Sequence, residues 1–303
     1  MRVASTQYHT TMNSALQDAS FRLEHVMQQM ASGLRIQVPS DDPVTSVRIE
    51  RLKREEAALD QYQSNIGALR SRLQQNEALL DGSVRDILQA RDLMVWAADG
   101  GNTSQDVDAM ANALAALRDS LFYTANSVDQ EGRYIFSGTA TATPTITHDP
   151  LAASGARYTA TGNGDAQNVV VGNGVTQAAN TTLAEMAPLL NALDQAIDTL
   201  HVPGVSVNDP LVRPVLTAAL DGLDTALDDI NTKIATIGGA QNMLDTLQDN
   251  HANVSLSNQQ AMVTLGQLDY GAAAVQLNGY TTAVQATQKA YAKVSALSLF
   301  DLI

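Results

Sequence analysis

The chain reads as a mainly α protein, in which long antiparallel helices from its two ends form a coiled-coil rod and a small β-rich domain is inserted in the middle. Three observations carry this reading. Apolar residues recur every three or four positions through most of both halves. Leu216, Leu223, Ile230, Ile237 and Leu244 are spaced by seven, with Leu220, Leu227 and Ile234 at the complementary heptad positions. Between the halves, residues 137–182 drop the helical beat for Thr, Gly and Asn with little charge.

Taken in order, the first element is the run Met12, Leu16, Ala19, Leu23, Val26, Met30 and Leu34, which should stop near Ala31-Ser32-Gly33. Ser40-Asp41-Asp42-Pro43 follows as a helix start, with Asp42 at the N-cap and Pro43 at the first helical position. Leu59, Tyr62, Ile66, Leu69, Leu73, Leu80, Val84 and Ile87 then carry a long helix towards Trp96, relaxed at Asp81-Gly82-Ser83. Asp99-Gly100-Gly101-Asn102 is a turn, and Thr103-Ser104-Gln105-Asp106 has capping-box spacing before a third helix through Val107, Met110, Leu114, Leu117, Leu121 and Val128. So short a link makes the two helices an antiparallel hairpin.

In the middle segment, Arg157–Ala160 and Asn168–Val171 read as short strands between Gly-Asn turns. Helical pattern returns from Leu183 to Leu200 and breaks at Pro203-Gly204 and Asp209-Pro210. The heptad helix should then run from Leu211 to near Asn250, about 60 Å at 1.5 Å per residue. Gly238-Gly239 within it should each cost about 1 kcal/mol relative to Ala, which a close helix contact or slight kink would explain, or a hinge. From Asn253 to Gln288 a single charged side chain occurs, Asp269, while Leu268, Ala272, Val275, Gly279, Ala283, Ala286, Ala290, Val294 and Leu297 form a helical stripe. A solvated helix fills its outer face with Lys, Glu, Arg and Asp. This one carries Gln, Asn, Thr, Ser and Ala, which suits a helix lying among other helices.

The expected domains are residues 1–40 with 255–303 as a terminal assembly domain, 41–136 with 183–254 as a helical rod domain, and 137–182 as the β-rich insert. The candidate assembly interface is Met12, Leu16, Leu23, Met30, Leu34, Arg35, Leu268, Val275, Val294, Leu297, Leu299 and Phe300. The candidate rod core is Leu59, Ile66, Leu73, Leu216, Leu223, Ile230, Ile237 and Leu244.

Composition narrows the function. A formal charge of −14 and a pI near 4.6 argue against a nucleic-acid partner and against docking on anionic lipid. With four Phe and one Trp the core must rest on Ala and Leu seams. There is no Cys, so no disulfide, thiolate metal site or Cys nucleophile. No apolar run suits a cleaved secretory signal or a membrane span, so export would need another route. The five His have no metal-ligand spacing. Gly162-Asn163-Gly164 and Gly172-Asn173-Gly174 are half a nucleotide fingerprint at best and read as turns. No catalytic residue, cofactor or metal is expected, and the protein is read as not an enzyme.

Several motifs resemble the bacterial flagellin superfamily. Ala31-Ser32-Gly33-Leu34-Arg35-Ile36 followed by Asp41-Asp42-Pro43 is similar to its N-terminal signature, and Gln63-Ser64-Asn65-Ile66 to the segment after it. Ile237–Leu244, Leu268-Asp269-Tyr270 and Gln288–Phe300 are similar to its C-terminal half. Gly132-Arg133-Tyr134-Ile135-Phe136-Ser137-Gly138, and Pro43-Val44-Thr45 after the paired aspartates, look more like the hook–filament junction branch than like flagellin proper. The resemblance implies a structural adaptor at that junction, outside the cell. Its partners would be hook-associated protein 1, flagellin, neighbouring copies of itself and an export chaperone on the C-terminal helix. It implies export without a cleaved signal peptide and terminal arms that are disordered in the monomer. A flagellin filament subunit is the alternative, and an enzyme displayed on the β insert a remote one.

Overall fold

A computed structural model describes residues 2–296 of the chain. In order, these form helices α1 (Arg2–Ser32), α2 (Pro43–Ala97) and α3 (Ser104–Ala125), strands β1 (Ile146–His148), β2 (Tyr158–Ala160), β3 (Asn168–Gly172) and β4 (Val175–Ala178), then helices α4 (Met186–Leu200), α5 (Arg213–Gly266) and α6 (Tyr270–Ala296). The chain divides into two compact units, Leu59–His251 and the two end segments Met1–Ala58 with Ala252–Ile303.

In the unit Leu59–His251, one continuous apolar cluster joins the helices. Ile66, Leu73, Leu80, Ile87 and Met94 of α2, Leu114 and Leu121 of α3, Leu190 and Leu193 of α4, and Leu216, Leu223, Ile230, Ile237 and Leu244 of α5 are all buried. Leu59, at the unit's first residue, is buried as well. Polar contacts set the antiparallel register of α2 and α5. Arg91 Nε donates to Asp224 Oδ1 at 2.6 Å, Gln241 Nε2 to Glu77 Oε2 at 2.8 Å, and Arg70 pairs with Asp245. The helix α2 runs unbroken through Asp81-Gly82-Ser83, contrary to the expected relaxation; the Ser83 hydroxyl is satisfied by donating to the Leu79 carbonyl one turn back. The turn before α3 ends in the expected capping box between Thr103 and Asp106.

The β segments are two antiparallel hairpins, β1 with β2 and β3 with β4. Asn173-Gly174 closes the second, and Gly174 has φ +71°, the left-handed conformation such a two-residue turn needs. Three-residue strands cannot stand alone. The first hairpin is held from both sides by asparagine amides. Asn126 bonds both the N–H and the carbonyl of Ile146, and Asn191 does the same for Tyr158, at 2.7–3.1 Å. Asp194, 1% exposed, takes Arg118 and Arg157 together and the Gly155 N–H. Phe136, Ile146, Tyr158, Val171 and Ala179 extend the same apolar cluster. Gly138 (φ +70°) lies where a Cβ would strike Asn163, whose amide bonds the Thr139 N–H and hydroxyl.

The helix α5 starts at Arg213 and continues to Gly266, past the expected end near Asn250. At 54 residues it is about 80 Å long. Gly238 and Gly239 sit in its middle, yet a Cβ on either would meet nothing within 4 Å. The expected close helix contact is therefore absent among the described residues, and the helix crosses both glycines without a break.

In the other unit, α1 packs along α6. The buried apolar side chains of this seam are Val26, Leu268 and Ala273, with Met30, Leu277 and Tyr280 packed against them. Beside it, Ser255 and Gln259 of α5 donate to the Glu56 carboxylate of α2.

Candidate assembly site

The motif residues at the two ends of the chain come together in a clasp where α1 gives way to α2 and α5 to α6. Gly33 closes α1 with φ +71°, the left-handed C-terminal stop that favours glycine, and its N–H returns to the Gln29 carbonyl. A Cβ there would lie 3.1 Å from Tyr270 Oη. From that point the backbones cross-bond: Leu268 N–H donates to the Gly33 carbonyl at 2.9 Å, and Arg35 N–H to the Gly266 carbonyl at 2.8 Å. Tyr270 Oη adds a bond to the Met30 carbonyl at 3.3 Å, and Gln29 Nε2 one to the Arg35 carbonyl at 2.6 Å.

The charged groups of the clasp serve helix ends. Asp42 is the N-cap of α2, accepting the Thr45 N–H at 3.0 Å and the Thr45 hydroxyl at 2.7 Å, as Asp42-Pro43 implies. Both terminal nitrogens of Arg35 donate to Asp42 at 3.1 Å, and one reaches the Leu265 carbonyl. These bonds, Thr45's first, lower the Asp42 carboxyl to about 2. Asp41 lies below its ordinary value too, chiefly because it accepts the Gln37 N–H, with the Val38 N–H and His25 assisting. Asp269, the only charge between Asn253 and Gln288, caps α6 by accepting the N–H groups of Gly271 and Ala272. The uncharged stretch is thus not one helix. It holds the end of α5, a break at Gln267–Asp269, and most of α6.

The apolar run of α1 lies on one face, whereas that of α6 turns outward. Met12, Leu16, Ala19, Leu23 and Met30 are half-buried on the side of α1 that carries buried Val26. On α6 the inward side is Ala273, Leu277, Tyr280 and Val284, one residue on from the expected stripe. One residue is about 100° around the axis, so Ala272, Val275, Gly279, Ala283, Ala286 and Ala290 point outward and are exposed, Val275 to 74%. His9 and Tyr291 meet edge-on, ring centres 5.5 Å apart, near the far end of the pair.

Of the other expected interface residues, Leu268 is buried in the seam, Leu34 is 49% exposed, and exposed Arg35 is engaged within the clasp. Leu297, Leu299 and Phe300 lie outside the described residues, as does the side chain of Val294. Leu34, Ile36, Ile49 and Val263 border an apolar cleft of about 460 Å³ beside the clasp. Sequence reading missed Gln29, Thr45 and the capping role of Asp269. A lone Asp ahead of a helical run is the signal that could have revealed the last.

The chain is similar to known proteins. The bacterial flagellin N-terminal helical region matches residues 3–141. Flagellar hook-associated protein 3 of Escherichia coli is 28% identical over 292 residues, covering 91% of each chain. Flagellar hook-associated protein 3 of Salmonella typhimurium is 25% identical over 315 residues, covering 100% of this chain and 99% of that one. A solved chain described as a flagellar hook-associated protein from Vibrio parahaemolyticus superposes with a TM-score of 0.67 at 32% identity, covering 74% of this chain and 99% of its own.

Proposed function

The chain belongs to the flagellar hook-associated protein family, within the flagellin-like proteins, and we propose from that premise that it is the structural adaptor of the hook–filament junction. Copies of the chain form a layer between hook-associated protein 1 and flagellin, using the end arms to pack on one another and on both neighbours. The observation that carries this mechanism is the outward face of α6. An exposed helix flank of Ala, Gly, Val, Gln, Asn and Thr, on a pair of arms whose seam with the α5–α6 link buries three apolar side chains among the described residues, gains by being covered. The protein acts by packing and catalyses nothing.

Location follows from the same role: on the flagellum, outside the cell, reached without a cleaved signal peptide. Before assembly the outer flank of α6 is the surface an export chaperone would shield. No helix among the described residues is long and apolar enough to cross a membrane. The direct test deletes the segment after Gly266 and expresses the truncated chain in a strain lacking the native gene. Residues 59–251 should remain folded and monomeric, while filaments fail to attach and flagellin appears in the medium. Normal filament attachment by the truncated chain would refute the proposal.

A further inference from the structure

Asn-Gly occurs three times in the chain, at Asn163-Gly164, Asn173-Gly174 and Asn278-Gly279. Such a pair is chemically unstable wherever the backbone nitrogen after the asparagine can reach the side-chain carbonyl carbon. Glycine leaves that approach unshielded, because it has no Cβ. In a folded chain the side-chain amide must also be unengaged, the following N–H unbonded and the local backbone able to turn. The three pairs meet these conditions to different degrees.

Asn163 is held by its side chain. Its Oδ1 accepts the Thr139 N–H at 2.8 Å and its Nδ2 donates to the Thr139 hydroxyl at 2.8 Å. Its own N–H donates to the Ser137 carbonyl, so the backbone is fixed as well. Asn278 lies inside α6, where the helical ladder occupies the Gly279 N–H and sets the backbone angles. Asn173 is different. It is exposed in the two-residue turn between β3 and β4, and among the described residues neither its side chain nor the Gly174 N–H takes a hydrogen bond. A Cβ on Gly174 would meet nothing within 4 Å, so the turn stands in open solvent. Such exposed loop tips are where a fold moves most easily.

We propose that Asn173 is a site of spontaneous covalent modification, with water as the only co-reactant. The Gly174 nitrogen gives its proton to solvent and bonds to Asn173 Cγ. The bond from Cγ to Nδ2 breaks, and that nitrogen takes up a proton and leaves as ammonia. Water then opens the resulting five-membered imide at either carbonyl. Opening at Cγ gives aspartate; opening at the backbone carbonyl gives isoaspartate, with the chain now running through Cγ. Either way a neutral amide becomes a carboxylate. Isoaspartate also adds one carbon to the backbone of the turn. The strands it joins are pinned to the helices, since Asn65 Nδ2 donates to the Val170 carbonyl at 2.8 Å and His251 Nε2 bonds the Val171 carbonyl at 2.8 Å. A longer turn works against those pins and against the strand ladder, so conversion loosens this hairpin in a chain that is otherwise unchanged.

The test stores the full, folded chain at physiological pH in water enriched in heavy oxygen and maps its peptides by mass spectrometry. Asn173 should take up heavy oxygen about tenfold faster than Asn163, whose release needs local opening. An isoaspartate-specific methyltransferase should label the peptide that spans residue 173. In urea Asn163 should convert as fast as Asn173. Asn173→Ser should stop conversion at that position and leave the melting temperature unchanged. Amide exchange across Val169–Ala178 should quicken with storage in the wild type and not in this variant. Equal conversion of Asn163 and Asn173 in the folded chain, or conversion of Asn173 in urea alone, would overturn the assignment. Exchange that quickens equally in Asn173→Ser would overturn the loosening. The reaction needs no second protein, so these results are independent of whether the chain acts at the junction.

Discussion

The two units of this chain bury side chains on very different scales. Residues 59–251 gather dozens of apolar side chains from four helices and both hairpins into one cluster, and a buried Asp194 with two arginines locks the hairpin to it. Among the described residues, the end segments bury the apolar side chains of Val26, Leu268 and Ala273 and add backbone cross-bonds and capped helix ends. The first unit has the core of an independent domain. The second has the core of a half-finished interface. On the proposed function, stability and assembly would rest on different stretches of one polypeptide, and substitutions should separate them.

The largest effect should come from Asp194→Ala. Removing the buried carboxylate leaves the Gly155 N–H without its acceptor and Arg118 and Arg157 with only Asp119 and Asp198, and breaking a buried pair from one side costs up to about 3–5 kcal/mol. Urea unfolding of the monomer, followed by circular dichroism, should show that loss in the main transition. Val26→Ala in the arm provides the contrast. It should move the main transition by less than about 0.5 kcal/mol, because the arm opens below the global unfolding free energy, yet it should reduce incorporation into junctions. Equal shifts from the two variants would erase the distinction between the units.

Gly33→Ala forces a left-handed backbone on alanine and crowds Tyr270, at a cost of about 1–2 kcal/mol confined to the clasp. Amide exchange should quicken around Gly266–Ala273 and stay unchanged in α3 and α4. Gly238→Ala should go the other way, stabilising the main transition by about 1 kcal/mol through helix propensity alone, since the new methyl has open space. If it destabilises instead, the glycine pair serves a contact made only on assembly.

Acid gives the gentlest probe of the clasp. Asp42 and Asp41 are both held below the ordinary 3.8, so what their ionised forms contribute is fully present above that pH and is lost as pH falls through it towards about 2. Exchange protection at the start of α2 should fade over that window. Asp42→Asn should remove most of the pH dependence.

Much of the helical frame was legible, because its causes are local and periodic. The seven-residue beat of α5, the Asp42-Pro43 start and the Gly33 stop each follow from a few adjacent residues. Where local cues ran out, so did the reading. The strand β1 escaped notice because it is held by Asn126, twenty residues away, and by β2, whereas β4 was missed although the Asn173-Gly174 turn just before it is a local signal. Which side of α6 turns towards α1 was not legible for a similar reason. Ala272 and Ala273 are equally apolar, and only the presence of α1 decides which of them faces in.

One detail of the first hairpin carries a consequence beyond its own stability. Where copies of a protein crowd together, an open strand margin invites the next chain to add a strand, and repetition of that step leads to fibres of the wrong kind. The amides of Asn126 and Asn191 occupy the outward groups of Ile146 and Tyr158, so that invitation is withdrawn at the sites they fill. At those two sites a neighbouring chain would have to find another surface.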